Sequence, residues 1–201
     1  MPKKVVAIIG TYRKNHITDT AVTAVLDAAQ RAGAETEKIY LIDKHIEFCT
    51  NCRTCTQQPD TGKRGTCPTE DDMPAILDQI DSADALVLAS PVNFFTVTAV
   101  TKKFIERLVC YAYWPWSTPM PKGRIKKPDK KAVIITSTAC PAFLARLLVR
   151  NSPKLLKAAA TCLGAKTVAT LYFGAIAMNP DDQLSKKALN RCRRAGQKLL
   201  S

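Results

Sequence analysis

Near its amino-terminal end the chain reads Val5-Val6-Ala7-Ile8-Ile9-Gly10-Thr11-Tyr12-Arg13-Lys14-Asn15-His16-Ile17-Thr18. The run before the glycine is apolar at every position, which is typical of a central parallel strand covered on both faces. The polar turn that follows offers hydroxyls, two cations and the free N–H groups of a starting helix, and such groups bind anions. The stretch therefore predicts a strand, an anion-binding turn and a helix, in that order.

The same alternation of strand and helix continues along the chain. Further strands are predicted at residues 36–42, 85–90, 132–136 and 167–173, with apolar residues at helical spacing between them. A capping residue followed by proline marks helix starts at Ser152-Pro153 and at residues 179–182. Five strands joined by helical crossovers predict an α/β fold: a doubly wound, five-stranded parallel sheet in a three-layer α/β/α sandwich.

Length and composition are those of one globular domain. The chain has 201 residues, 46% of them hydrophobic, without repeats or a long linker, so we expect a single domain over residues 1–201. Apolar runs are shorter than the roughly 18 residues of a membrane span, and the first is too short for a secretory signal. These features predict a cytoplasmic protein that does not contact the membrane, and its eight cysteines are expected to be reduced.

The formal net charge of +13 makes nucleic acid a partner to consider. However, the lysines and arginines are spread along the chain rather than gathered into one patch. We interpret the charge as a solvated basic surface that favours anionic ligands, and we expect no nucleic-acid partner.

Two further loops follow predicted strands. The first reads Ser90-Pro91-Val92-Asn93-Phe94-Phe95-Thr96-Val97-Thr98 and leads into Thr101-Lys102-Lys103-Phe104-Ile105-Glu106-Arg107; the second reads Ser137-Thr138-Ala139-Cys140-Pro141. Parallel strands end at one edge of a sheet, and ligands of doubly wound proteins bind there, where the strand order reverses. These two loops and the turn after Ile9 are therefore expected to form one site.

The turn after Ile9 and the loop that begins at Ser90 resemble those of the NADPH-dependent FMN reductase family and of the related iron–sulfur flavoproteins, which are flavodoxin-like. The family phosphate loop, Gly-Ser-x-Arg followed by a small or polar stretch and Thr, is matched by Gly10, Thr11, Arg13, Lys14, Asn15 and Thr18. The family ring loop reads Ser-Pro-Val-Tyr-Phe-Gly-Ser-Val-Ser, from which Asn93 and Phe95 depart. The resemblance implies a flavodoxin-like fold, bound FMN, and NAD(P)H as electron donor.

The resemblance also assigns the residues of an FMN site. The phosphate is expected on Thr11, Arg13, Lys14, Asn15 and Thr18; the ring on Pro91, Val92, Asn93, Phe94 and Thr96; and Ser137 and Thr138 are expected to complete the site. No catalytic side chain is predicted, because the redox chemistry belongs to the flavin. In such families the flavin site often lies between subunits, which implies a homodimer or homotetramer.

A cysteine-rich insertion is predicted at about residues 48–68. Cys49, Cys52 and Cys55 form a Cys-x2-Cys-x2-Cys run, and Cys67 follows. Such a compact run can supply three ligands of a [4Fe–4S] cluster, with the fourth arriving from a loop, and iron–sulfur flavoproteins are similar in this respect. A zinc site, a redox-active pair and free thiols remain alternatives.

The combined features predict an FMN-dependent oxidoreductase that passes electrons from NAD(P)H, or singly from a cluster, to an acceptor. An alternative is a non-enzymatic electron carrier whose basic surface docks an acidic redox partner. A further alternative is a zinc-stabilised basic module that binds nucleic acid.

Overall fold

The computed structural model describes residues 2–141, 144, 149–176 and 182–201. In chain order the elements are β1 (Lys4–Ile9), α1 (Ile17–Arg31), β2 (Glu35–Tyr40), α2 (Thr54–Gln57), α3 (Met73–Asp81), β3 (Ala85–Asn93), β4 (Thr96–Val97), α4 (Ala99–Arg107), β5 (Ala112–Tyr113), β6 (Lys122–Gly123), β7 (Lys130–Ser137), α5 (Asn151–Cys162), β8 (Ala165–Phe173) and α6 (Lys186–Leu200). Single 3-10 turns lie at Leu41–Asp43 and Leu108–Tyr111.

The long strands form one parallel sheet in the order β2-β1-β3-β7-β8. Val5 of β1 pairs with Thr36 on one side and with Ala85 on the other, so the strand order reverses at β1. This is the flavodoxin-like arrangement, and it confirms the predicted doubly wound sheet of five parallel strands. The structure adds a short antiparallel strand, β4, beside β3 and a separate two-stranded ribbon, β5–β6.

The core lies in two layers, one on each face of the sheet. Successive side chains of a strand point to opposite faces. Val6 and Ile8 accordingly belong to the cluster beneath α3, α4 and α5, whereas Val5 and Ala7 belong to the cluster beneath α1 and α6. The apolar run of β1 thus serves both layers, and the predicted three-layer sandwich is confirmed.

The starts of α3 and α5 differ in what the polar side chains beside them bond. The Asp71 carboxylate accepts a 2.9 Å hydrogen bond from the N–H of Met73, the first residue of α3. The prediction that Ser152 caps a helix was wrong, because α5 already begins at Asn151. Ser152 instead shares a buried 3.0 Å hydrogen bond with the Thr136 hydroxyl on the sheet.

The last helix, α6, is capped by Ser185, whose hydroxyl accepts from the N–H of Ala188 at 3.2 Å. Most of the cap signal predicted at residues 179–182 lies outside the described residues. Within the described part of the chain, no helix is both long and apolar enough to cross a bilayer.

Candidate functional site

The turn after β1 is shaped by its own side chains. The hydroxyl of Thr11, a buried residue, accepts from the N–H of Arg13 at 3.2 Å. The Arg13 guanidinium lies 2.9 Å from Nδ1 of His16. Asn15 takes a left-handed conformation with φ of 61°, which Asn adopts more readily than most residues. The turn therefore holds Arg13 beside the start of α1.

A buried carboxylate supports this turn from below. Asp19 accepts from the N–H of Asn15 at 2.7 Å, from Lys38 Nζ at 2.8 Å and from the Tyr40 hydroxyl at 3.0 Å. Burial by itself would raise the pKa of Asp19, but the hydrogen bonds and the charge of Lys38 outweigh it, so the pKa lies below its usual value. Asp19 is therefore an ionised anchor that fixes the turn on strand β2.

The carboxyl ends of β1, β3 and β7 surround a cavity of about 260 Å³. Most of the predicted flavin residues line it: Thr11, Arg13, Thr18, Pro91, Val92, Asn93, Ser137 and Thr138. The hydroxyls of Thr18 and Ser137 share a buried 2.8 Å hydrogen bond, which joins the loop after β1 to the loop after β7. The cavity thus combines a cation, hydroxyls and an apolar wall at the point where the strand order reverses.

Close packing fixes the start of the first loop, the turn after β1. The Thr98 hydroxyl donates to the carbonyl of Gly10 at 2.6 Å and shares a 2.7 Å hydrogen bond with the Thr101 hydroxyl. A Cβ on Gly10 would lie 1.7 Å from the Thr101 hydroxyl oxygen, so only glycine fits here. The first loop therefore sits directly against the start of α4.

Other predicted flavin residues do not line the cavity. Lys14 forms a 2.6 Å ion pair with Asp43, and Asn15 lies beside Asp19. Thr96 pairs with Asn93 in the β3–β4 hairpin. These assignments remain predictions, but the structure does not bring these residues to the cavity.

The β3–β4 turn presents two aromatic rings to solvent. Phe94 and Phe95 both have left-handed backbones, with φ of 44° and 68°, and Phe94 is 95% exposed. Their ring centroids are 5.8 Å apart with an edge-to-face geometry. Phe94, predicted to contact the flavin ring, is exposed to solvent and does not line the cavity in this chain.

Sequence reasoning did not assign some of the lining residues: Tyr12, Ile17, Ala139, Ile176 and Asp182. Tyr12, Ile17 and Ala139 lie within loops that were already singled out, so the position of those loops was the available signal. Ile176 and Asp182 follow β8, which carries no local motif, and they reach the cavity because β8 pairs with β7.

The predicted metal ligands line a second cavity of about 280 Å³. Cys49, Cys52, Cys55 and Cys67 all contribute to its wall, together with Arg53, Arg107 and Trp114. In the described residues, no group of His, Cys, Asp or Glu side chains is arranged to hold a single metal ion. The [4Fe–4S] ligand set stays a prediction, and the structure shows only that the four cysteines line one cavity.

The thiols of this cavity differ in environment. A hydrogen bond of 3.4 Å from the Thr54 hydroxyl lowers the pKa of the exposed Cys52. Burial raises the pKa of Cys55, and the neighbouring thiols of Cys67 and Cys49 add to this effect. All four thiols line the same cavity, so the segment gathers them around one space.

A buried ion pair lies against the cysteine-rich insertion, the segment of about residues 48–68. Arg107 pairs with Asp71, with 2% and 0% of the two side chains exposed, and donates to the carbonyl of Glu47 at 3.0 Å. Asp71 also accepts from the N–H of Glu47 at 2.8 Å. A second N–H of Arg107 points to Sγ of Cys67 at 3.4 Å. One guanidinium thus ties together the two ends of the insertion and its last cysteine.

A flavodoxin-like sheet with a cation, hydroxyls and an apolar wall at its switch point defines a flavin- or nucleotide-binding α/β protein. Residues 3–142 match the profile of the NADPH-dependent FMN reductase family. This match covers more than half of the chain, and the chain belongs to that family.

Curated relatives with similar sequences are iron–sulfur flavoproteins. One from Archaeoglobus fulgidus is 36% identical over 112 residues, which are 56% of this chain and 48% of the relative. Another, from Methanocaldococcus jannaschii, is 36% identical over 104 residues, 52% of this chain and 51% of the relative. The matched part of this chain spans about half the length of these relatives.

Solved structures share the fold at low sequence identity. The NAD(P)H:quinone oxidoreductase from Methanothermobacter marburgensis superposes with a TM-score of 0.75 at 20% identity, over 99% of this chain and 100% of that one. An FMN-dependent NADH-azoreductase from Bacillus anthracis, solved with FMN, gives 0.73 at 16% identity over 99% and 100% of the two chains. These likenesses establish the fold.

Proposed function

We propose that this protein is an FMN-dependent oxidoreductase that takes electrons from NAD(P)H and passes them to an acceptor through FMN bound in the switch-point cavity. The observation that carries the proposal is the convergence of three loops there, with Arg13, Thr11, Thr18 and Ser137 on one cavity. Membership of the FMN reductase family supports the same ligand.

The lining residues suggest how the chain would hold the cofactor. Arg13 and the hydroxyls of Thr11 and Thr18 suit the phosphate, because a guanidinium and hydroxyls donate charge-assisted hydrogen bonds. Pro91 and Val92 offer apolar surface to the ring and backbone groups to its polar edge. When bound, the flavin supplies the hydride and electron transfer; the side chains position it and limit the access of water.

We further propose that the four cysteines hold a [4Fe–4S] cluster. The cavity they share has N–H donors in its wall, and Arg107 already donates towards Cys67. Such donors suit sulfur ligands that carry negative charge. A cluster with thiolate ligands requires a reducing compartment, so the proposal places the protein in the cytoplasm.

Two statements about organisation belong to the same proposal. One sheet carries both core layers, and Ile46 and Cys55 belong to the layer beneath α3, α4 and α5, which supports a single domain over residues 1–201. The exposed rings of Phe94, Phe95 and Trp116 support self-association as a homodimer or homotetramer. Light scattering on the purified protein measures the oligomeric state.

An anaerobic absorbance spectrum of freshly purified protein tests the cofactors. The expected spectrum has two flavin bands over a broad shoulder from the cluster, with FMN released on denaturation. Flavin bands alone would refute the cluster. A colourless protein that also fails to take up added FMN would refute the central proposal.

Stopped-flow reduction distinguishes the enzyme from a carrier. Rapid bleaching of the flavin by NADH or NADPH, followed by steady turnover with a quinone, is expected of the oxidoreductase. Slow reduction by both nicotinamides, beside fast reduction by a small acidic iron–sulfur protein, would establish the carrier instead.

A further inference from the structure

A guanidinium is held between two indole rings beside the cysteine cavity. Cζ of Arg53 lies 4.0 Å from the ring centroid of Trp114 and 4.0 Å from that of Trp116. Both distances are within the range of cation–π stacking, which a planar guanidinium makes better than an ammonium. The two rings therefore fix the plane of the Arg53 side chain.

The backbone at Arg53 is fixed within the cysteine run. Arg53 follows Cys52 directly, lies two positions before Cys55, and stands at the start of α2 with a left-handed φ of 63°. Its carbonyl accepts from the N–H of Thr56 at 3.0 Å. Its Nη2 donates to the carbonyl of Trp114 at 2.7 Å. Backbone and side chain are thus both anchored, and the position of the cation is set by the fold.

One donor of this guanidinium is left over. Nε of Arg53 is buried without a hydrogen-bond partner, although Arg53 lines the cavity that the four cysteines share. The ion pairs of the described residues do not include Arg53, so its charge has no carboxylate at contact distance. A buried donor without an acceptor is costly, and an anionic acceptor in the cavity would accept from this N–H and attract the guanidinium charge.

We propose that Arg53 acts on the sulfur-ligated group of this cavity, as the N–H donor and cation that sets its reduction potential. This inference rests on the proposed cluster. One electron from a reductant makes the group more negative, and a neighbouring cation stabilises that reduced form. Arg53 therefore raises the midpoint potential. The rings of Trp114 and Trp116 keep the Arg53 guanidinium in place, and the Trp116 ring remains exposed to solvent.

The test compares midpoint potentials of anaerobically reconstituted full-length protein. The variants are R53K, which keeps the charge but loses the planar donor, and R53Q, which loses the charge. R191K is the matched control, because Arg191 also stacks on an aromatic ring, 5.7 Å from the centroid of Phe173, on α6. Bound iron and sulfide are assayed, and potentials are read by spectroelectrochemical titration with dithionite.

Potentials are expected to fall in the order wild type, R53K, R53Q, with R191K at the wild-type value. Loss of one charge-assisted donor should change the ratio of reduced to oxidised group by about tenfold at a fixed potential, or about 59 mV for one electron. R53Q that loses iron, while its iron-free form melts at the temperature of iron-free wild type, also supports the proposal.

Three results would overturn the inference. The first is fully loaded R53K and R53Q with wild-type potentials. The second is loss of iron together with destabilisation of the iron-free protein, since that assigns Arg53 to packing alone. The third is wild-type protein that takes up no iron, which refutes the cluster itself; the iron assay distinguishes it from the other two.

Discussion

Replacing Asp71 by asparagine removes the negative partner of a buried arginine. The side chains of Asp71 and Arg107 are 0% and 2% exposed, so D71N strands the Arg107 charge away from water. Removing one partner of a buried pair costs about 3–5 kcal/mol. For a chain of this size, about 2–4 °C of melting temperature is lost for each kcal/mol. We therefore expect D71N to melt about 6–20 °C below the wild type.

Thermal unfolding followed by circular dichroism, at equal cofactor content, measures this difference. The matched control is D78N, because Asp78 forms a similar 2.7 Å pair with Arg64 but its side chain is 73% exposed. Exposed pairs contribute about 0–1 kcal/mol, so D78N should barely change the melting temperature. D71N/R107M should recover stability, since it removes the stranded charge. Equal melting of D71N and D78N would refute the reasoning.

Further predictions concern the first loop. G10A is expected to lose about 1–3 kcal/mol in urea unfolding, because its Cβ would overlap a neighbouring hydroxyl, whereas G123A has open space and should be unchanged. R13Q should raise the FMN dissociation constant about tenfold or more in a fluorescence titration, and K14Q less than about threefold, since Lys14 is paired with Asp43; equal effects would contradict the cavity assignment. The pKa of Asp19 lies below its unfolded value. Its contribution to the free energy of unfolding is therefore complete above about pH 4 and is lost as the pH falls through the folded pKa. D19N should therefore flatten the acid side of the stability profile, and an unaltered acid side would exclude Asp19 from that role.

The sheet was predictable because its strands are signalled locally. Runs such as Val5–Ile9 and Ala85–Ser90 are apolar at nearly every position, and only a strand buried on both faces requires this. The β3–β4 hairpin was missed because its turn carries Phe94 and Phe95, where Asn and Gly are usual. The strands of the β5–β6 ribbon are only two residues long, too short for a periodic pattern.

A local stretch of sequence cannot reveal partners that are distant in the chain. Lys14 looks like a phosphate ligand in its own loop, but Asp43, which the loop cannot reveal, lies 2.6 Å from its amine. Ser152 before a proline has the sequence of a cap, yet its hydroxyl bonds Thr136 on the sheet. The stacking of Arg53 likewise depends on Trp114, which only the folded chain brings close.

The parallel strand order also governs how the chain folds. β1 cannot complete its pairing through a local hairpin: Lys4 meets Glu35, and Val5 meets Ala85 only after the whole cysteine segment has been looped out. Closing such long loops precedes any gain from the contacts they bring, which slows folding compared with a helical bundle. During that delay the apolar strands remain unpaired, which is when a chain is most prone to aggregate. Slow synthesis at low temperature should therefore increase the yield of folded protein.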